Sequence, residues 1–351
     1  MRRALILALG TALCAAPLAL DLAAQAGTPI KAAAYKAPRN AFGQPDFSGY
    51  WSNSTLTPLM RPAKLGARGV MTPDEVKTAE NAVVVEVEEG NAPTDPNAPA
   101  DFKPKGALRP EFAAAGGDVG GYNRGWLDPG SLVMRVGGEP RTSILTTPNG
   151  QMPARKAGAP KGRGFADFRD VYDSYETRSL GERCIMGFGR NAGPPMLANG
   201  FYNNNYQFVQ SADTVVIEVE MIHDLRLVRL NGVHRTDGLR PWMGDSIGRW
   251  EGDTLVVETT NFPEGQDYFG SWKNLKVTER FTRTAKDRVR YQFTAEDPTI
   301  WDKPWGGEYE FAPLAGRIYE YACHEGNYAL PGILAGARAG DATGKTGGSS
   351  N

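Results

Sequence analysis

Apolar and polar positions along this chain fall into two textures. From about residue 205 onward short runs alternate: "NNYQFVQS", "ADTVVIEVEM", "RLVRL", "GDTLVVETTN", "LKVTERFTRT", "KDRVRYQFTA" and "RIYEYACH". In "KDRVRYQFTA", Val289, Tyr291 and Phe293 fall on one side, and Arg288, Arg290 and Gln292 on the other. A period of two marks a half-buried strand. Three of these runs open on an Asp turn, at Asp213, Asp253 and Asp287, and no helical period separates them. Consecutive strands with tight turns predict an antiparallel meander, and a long meander hides its edges by closing on itself. The expected fold class is therefore mainly β: a lipocalin-like barrel with a few helices and with long loops around one mouth. A β-sandwich suits similar strand spacing.

The N-terminal half reads differently. "PDFSGYWSN" predicts an entry turn and a short first strand. In "TPDEVKTAENAVVVE", Thr72, Pro73 and Glu75 form a capping box with proline at the first helical position, which predicts a helix. Residues 89 to 165 are dominated by Gly, Pro and Ala, with only "RTSILTTP" reading as a strand. Loops this long line a site or wrap a core. "DFRDVYDSYETRSLGERC" has helical spacing at Phe168, Val171, Tyr172 and Tyr175 and leads to Cys184.

The first residues change the setting. "MRR", the apolar "ALILALGTALCAAPLAL" and small residues at Ala24 and Ala26 make the pattern of a signal peptide over residues 1–26. The expected organisation is that leader, a flexible lead-in over 27–43, a single β-rich domain over 44–338 and a disordered tail over 339–351. The expected location is periplasmic or secreted. Beyond the leader no apolar run is long enough to span a membrane. Lys and Arg number 39 against 40 Asp and Glu, without a basic run, so a nucleic-acid partner is not expected.

Cysteine usage follows from that setting. Of three cysteines, Cys14 falls in the leader, leaving Cys184 and Cys323. In an oxidising compartment the simplest reading is one disulfide. It would close a loop of about 140 residues, worth roughly 4–5 kcal/mol in the chain-entropy model. The rival reading, two thiolates on a metal, lacks a second Cys pair to complete the ligand set.

Candidate chemistry centres on three histidines. In "VEMIHDLR", His223 continues the strand face of Val215, Ile217, Val219 and Met221, while Glu218, Glu220 and Asp224 take the other face. An imidazole there is either a satisfied core group or an acid/base in a barrel interior. Arg226 follows, suited to an anion or a carboxylate partner. In "YACHEGNY", an anchored Cys323 would hold His324 and Glu325 on a rigid scaffold. His223 and His324 form the expected acid–base pair, lining one cavity, with Glu220, Asp224 or Glu325 orienting them. His234, in "NGVHRTDG", is expected to be exposed. Asn203, Asn204 and Asn205 with Tyr202 and Tyr206 make an amide-and-aromatic set for a ligand ring, against the plainer reading of turn chemistry. Trp250 and Trp305 extend that surface, with core packing as the default for any one tryptophan; "PTIWDKPW" reads as a mouth loop. No HExxH or DxDxDG occurs, but two histidines and carboxylates brought together in space could hold calcium or zinc. No GxSxG elbow and no GxGxxG after a strand occur, so no nucleotide cofactor is expected.

The strings "RCIMGFGRNAGPPMLANGFYNNNYQFVQ", "MIHD", "GDSIGRWEGDTLVVETTNF", "DPTIWDKPW" and "YACHEGNYALPGILAGAR" together resemble a group of exported bacterial proteins, most of unassigned function. The resemblance spans residues 44 to 338 and is strongest after 180. It implies a setting of aromatic-compound degradation, and hydrolytic, glutathione-independent cleavage of β-aryl ethers from lignin. The expectation is an exported hydrolase acting on a small aromatic substrate. A lipocalin-like carrier of small aromatic or apolar ligands is the alternative.

Overall fold

The structure, a computed structural model, describes residues 35–90, 128, 130–160, 162, 172, 174–187, 193–198 and 202–343. The leader, the start of the lead-in, residues 344–351 and most of the helix expected before Cys184 lie outside these. Gly49–Ser52 forms β1, and Pro73–Gly90 forms α1. The expected capping box starts α1: Thr72 Oγ1 accepts from Glu75 N, and Glu75 Oε2 accepts from Thr72 N. Arg135–Val136 and Glu139–Pro140 pair as a small ribbon, β2 and β3. "RTSILTTP" is no barrel strand. It bridges Val70 through Arg141 and Gly307 through Leu145, and lies buried against the barrel.

Eight further strands complete the barrel. These are β4 (Asn205–Gln210), β5 (Thr214–Val219), β6 (Asp224–Leu230), β7 (Asp245–Glu251), β8 (Thr254–Thr260), β9 (Lys276–Ala285), β10 (Arg288–Glu296) and β11 (Trp305–Pro313). With β1 between β11 and β4, nine strands close in the order β1-β11-β10-β9-β8-β7-β6-β5-β4. The mainly β, closed-barrel expectation holds. Within the meander one pair differs: β6 and β7 run parallel, with Val228 opposite Ser246. Parallel neighbours need a crossover rather than a hairpin, and residues 231–244 provide it. His234 pins that crossover to the outside of the barrel, its Nδ1 3.1 Å from Asp245 and its Nε2 3.2 Å from Glu258. The imidazole is half-buried, not exposed as the sequence suggested.

Two strands, β7 and β11, escaped the alternation pattern because glycines interrupt them. A Cβ on Gly248 would lie 2.7 Å from Val228, and one on Gly306 would lie 2.1 Å from the Phe293 carbonyl oxygen. Close packing across strands demands glycine there, and the same glycines blur the sequence signal. "PTIWDKPW" likewise ends in the barrel: Trp305 opens β11, and Trp301 and Trp305 are buried edge-to-face partners. "RIYEYACH" forms no strand. After Leu314 N donates to Tyr50 O, the chain leaves the ladder. It then reaches α2, Ala329–Ala342, so the tail expected from 339 begins inside a helix.

The inner face of the barrel is aromatic, with Tyr206, Phe208, Phe281, Tyr291, Tyr309 and Phe311 all buried. An ion pair sits among them. Arg226 donates through Nη1 to Glu279 Oε1 at 3.0 Å and through Nη2 to Oε2, and both residues are buried. Arg226 also donates to Ser246 Oγ (3.1 Å) and Thr259 Oγ1 (2.9 Å), and Tyr291 Oη donates to Glu279 (2.8 Å). Every charged atom of the pair therefore has a partner, the condition under which a buried pair is tolerated. Removing one partner strands the other in an apolar core. Glu279→Gln is expected to destabilise the fold by about 3–5 kcal/mol in urea titration, whereas Glu251→Gln, which breaks an exposed pair with Arg280, should leave the urea midpoint near that of the wild type. Similar small losses for both would show that the interior pair is not structural.

Candidate functional site

The chain reverses between β5 and β6 through an unusual turn. Glu220 is in the right-handed helical region, but Ile222 (φ 61°, ψ 17°) and His223 (φ 47°) are left-handed. A β-branched residue seldom adopts this conformation. Burial of Met221 and Ile222 and a bond from His223 N to Glu220 O (3.2 Å) hold it. The turn breaks the strand period, which overturns the face assignment made by extending β5. His223 does not continue into the interior; it is exposed. Asp224 instead stands opposite Val219, which pairs with Tyr206, which pairs with Trp51. Paired residues share a face, so Asp224 belongs to the inner face at this end of the barrel. Arg226, two residues on, lies on the same face and carries the interior ion pair. It meets the carboxylate partner expected for it, in Glu279 rather than in a ligand.

Asp224 is the most perturbed carboxyl of this region. Burial pushes its pKa up to about 6, against the opposing pull of His223 beside it. Its Oδ2 is buried without a hydrogen-bond donor. A carboxyl poised near neutrality is the property required of a general acid or base. The barrel interior also holds a network of hydroxyls. Asn53 Nδ2 donates to Tyr206 Oη (3.1 Å) and Tyr309 Oη (3.0 Å). Tyr309 Oη donates to Met196 O, and Tyr291 Oη accepts from Met196 N, both at 2.9 Å. Residues 193–198 thus plug the barrel end through the backbone of buried Met196. Burial holds the Tyr291 and Tyr309 hydroxyls well above the usual phenol range. Asn53, Glu279, Tyr291 and Tyr309 were not among the candidate site residues, although Tyr291 was placed on a strand's apolar face. Glu279 had a signal, being a charge between Val277 and Phe281 on an apolar face.

The remaining candidates separate. Glu220 is buried and braces the turn: its Oε2 accepts from Asn205 Nδ2 at 2.7 Å and its Oε1 from Tyr319 N at 3.1 Å. Asn204 Nδ2 donates to Asp128 O (2.7 Å), while Asn203 takes a left-handed conformation (φ 53°), so both shape the entry to β4. Tyr206 is an interior residue. Trp250 stacks on Phe47 (5.7 Å, 8°) at the opposite end of the barrel, and Trp305 is a core residue. Trp305 packs among Phe269, Phe293 and Trp301. The Cys184–Cys323 disulfide is present, with Cα atoms 5.7 Å apart. His324 and Glu325 flank it, both exposed. Glu325 lines a surface groove with Glu182, Asn327, Leu330 and Ile333, and neither His324 nor His223 lines it. Among the described residues, no group of three or more His, Cys, Asp and Glu side chains is arranged to hold a metal, and no helix is long and apolar enough to cross a membrane.

Comparison with protein-family models, with curated proteins and with solved structures finds no match to this chain. The site therefore stands on its geometry. Asp224 gives a test of that geometry with an unusual sign. Its folded pKa lies above the ordinary carboxylate value, so the folded state binds its proton more tightly than the unfolded chain. Stability from this group is full below about pH 4 and is lost as pH rises through about 6. Asp224→Asn should then stabilise the protein at pH 7–8, by about 1 kcal/mol once partial solvent exposure is allowed for. It should give no gain at pH 4. Melting temperatures across that range check it; a loss of stability at pH 7 would place Asp224 in a favourable ion pair instead.

Proposed function

We propose that the protein is a hydrolytic enzyme that works by acid–base catalysis at the barrel mouth, with small aromatic ethers as its substrate class. The observation that carries this reading is the Asp224 carboxyl, inner-facing and titrating near pH 6. As a carboxylate it can take a proton from an attacking water. His223, adjacent and exposed, is placed to exchange protons with solvent and with a departing phenol. Water adds its hydroxyl to one fragment and its proton to the other, so no nucleotide or thiol is consumed. The acid–base pair is thus Asp224 and His223, in place of the two histidines expected from sequence. The aromatic substrate class rests on the resemblance described above. Tyr206, Phe281, Tyr291 and Tyr309 fill the barrel axis and Met196 seals them. That filling favours a ligand at the mouth over one carried inside, and so favours an enzyme over a carrier. An exported, oxidising setting is part of the same reading, and the disulfide suits it.

The test is incubation with a panel of lignin-type β-aryl ether dimers, with and without chelator, followed by product analysis. Turnover should rise between pH 5 and pH 7 with a midpoint near 6. Asp224→Asn should lower it by about 10²–10⁴ while the protein stays folded. A flat profile across that range, or a folded Asp224→Asn variant that keeps full turnover, would remove Asp224 from the chemistry.

A further inference from the structure

The segment that follows β11 is fastened to the barrel in an unusual manner. No residue from 313 to 343 is buried. Tyr319 and Tyr328 are 80% and 84% exposed, and α2 contributes no buried residue. Such a segment has little apolar burial of its own to hold it. Beyond Leu314, whose N donates to Tyr50 O, and besides Tyr321, which packs against the core, several of its attachments lie close together. Tyr319 N donates to Glu220 Oε1 (3.1 Å), and Tyr321 stacks on Tyr202 (6.5 Å). Asn327 Nδ2 donates to Glu182 O (3.1 Å) and to Cys184 Sγ (3.3 Å). The covalent attachment is Cys184–Cys323 itself.

Two of these contacts connect the segment to the rest of the fold in a specific manner. Cys184 belongs to the 179–187 turn, and Met221 packs onto that turn: a Cβ on Gly187 would lie 2.3 Å from Met221 Cγ. Glu220, one residue before Met221, is 2% exposed and shares its carboxylate between Asn205 of β4 and the Tyr319 amide. The disulfide-tied segment therefore reaches the turn at Glu220–His223, the one that sets Asp224 inward. If the segment departs, Glu220 loses one of its two hydrogen bonds. A buried carboxylate then has reason to seek water, and the left-handed conformation at Ile222 and His223 loses support.

The sulfurs differ in access. Cys184 is buried, whereas Cys323 is partly exposed and lines the groove with Glu182, Asn327, Leu330 and Ile333. A small dithiol can enter there. Its thiolate attacks Cys323 Sγ, forming a mixed disulfide and releasing the Cys184 thiolate. The second thiol of the reagent then displaces Cys323 and closes the reagent into a cyclic disulfide. Two electrons pass from the dithiol to the protein, and both cysteines end as thiols.

We propose that the Cys184–Cys323 disulfide is a thiol-responsive latch, whose reduction frees the segment from residue 314 onward and loosens the turn carrying His223 and Asp224. Its bearing on catalysis rests on the functional reading above, but the latch itself is tested by motion rather than turnover, so the two can fail separately. Hydrogen exchange of the full chain at pH 7 is compared with and without a millimolar dithiol, with reduction verified by alkylation and mass. Peptides covering 219–225 and 314–328 should exchange about 10-fold faster or more once reduced, while β9 and β10 keep their protection. An unchanged turn, a barrel that loosens equally throughout, or a disulfide that resists the dithiol would each overturn the proposal. Tyr319→Pro removes the amide that donates to Glu220 and leaves the disulfide intact. It should loosen 219–225 in the absence of reductant. Full protection there would show that the segment does not brace the turn.

Discussion

Four residues hold the barrel closed. Gly49–Ser52 pairs on one side with β4 and on the other with β11, joining the start of the sheet to its end. Without that strand both β4 and β11 would present open edges, and the aromatic inner face would lose its seam. The seam is reinforced from within. Trp51 Nε1 donates to Phe47 O, and Asn53, just past the strand, ties Tyr206 of β4 to Tyr309 of β11 through their hydroxyls. Closure is thus secured both by the backbone ladder and by a side-chain bridge across the same joint. Closure is also what removes β4 and β11 from the aggregation hazard of exposed edges.

A closed barrel this rich in aromatics leaves limited room for charge, yet it contains Arg226 and Glu279. The pair survives because Ser246, Thr259 and Tyr291 satisfy the donors and acceptors that the two charges leave over. Tyr291 then passes the network on to the plug at Met196. The polar interior is therefore continuous from the ion pair to the barrel end, and Asp224 stands at that end on the same strand face as Arg226. Satisfied buried charge gives rigidity to the floor of the candidate site, and rigidity is what positions a proton-transfer group.

The turn between β5 and β6 decides which side chain faces inward at that end. Had the strand simply continued, His223 would face inward and Asp224 outward. Two consecutive left-handed residues reverse this, and burial of Ile222 and of Met221, which packs onto the 179–187 turn at Gly187, offsets the cost of holding an isoleucine in that conformation. The disulfide anchors that turn. It ties Cys184 of the turn to Cys323, 139 residues further along the chain.

Much of this protein was legible in the order of its residues. Alternation at Val289, Tyr291 and Phe293 specified a strand, because a half-buried sheet needs period two, and the repetition of such runs pointed to a barrel, with a sandwich open until the closure was seen. The even cysteine pair specified the disulfide, and Thr72 with Glu75 specified a helix start, because these are local or compositional rules. Arg226 was visible as a cation suited to an anion or a carboxylate, and only the structure shows that it holds Glu279. Other features were decided only in three dimensions. β7 and β11 were hidden because their glycines answer to Phe293 and Val228 on neighbouring strands. The parallel β6–β7 pair depends on a crossover whose path is pinned by His234 against Asp245 and Glu258. The inward-facing position at the β5–β6 turn falls to Asp224 rather than to His223. Periodicity cannot register a reversal of face at a turn, and that reversal depends on burial beneath residues distant in the chain.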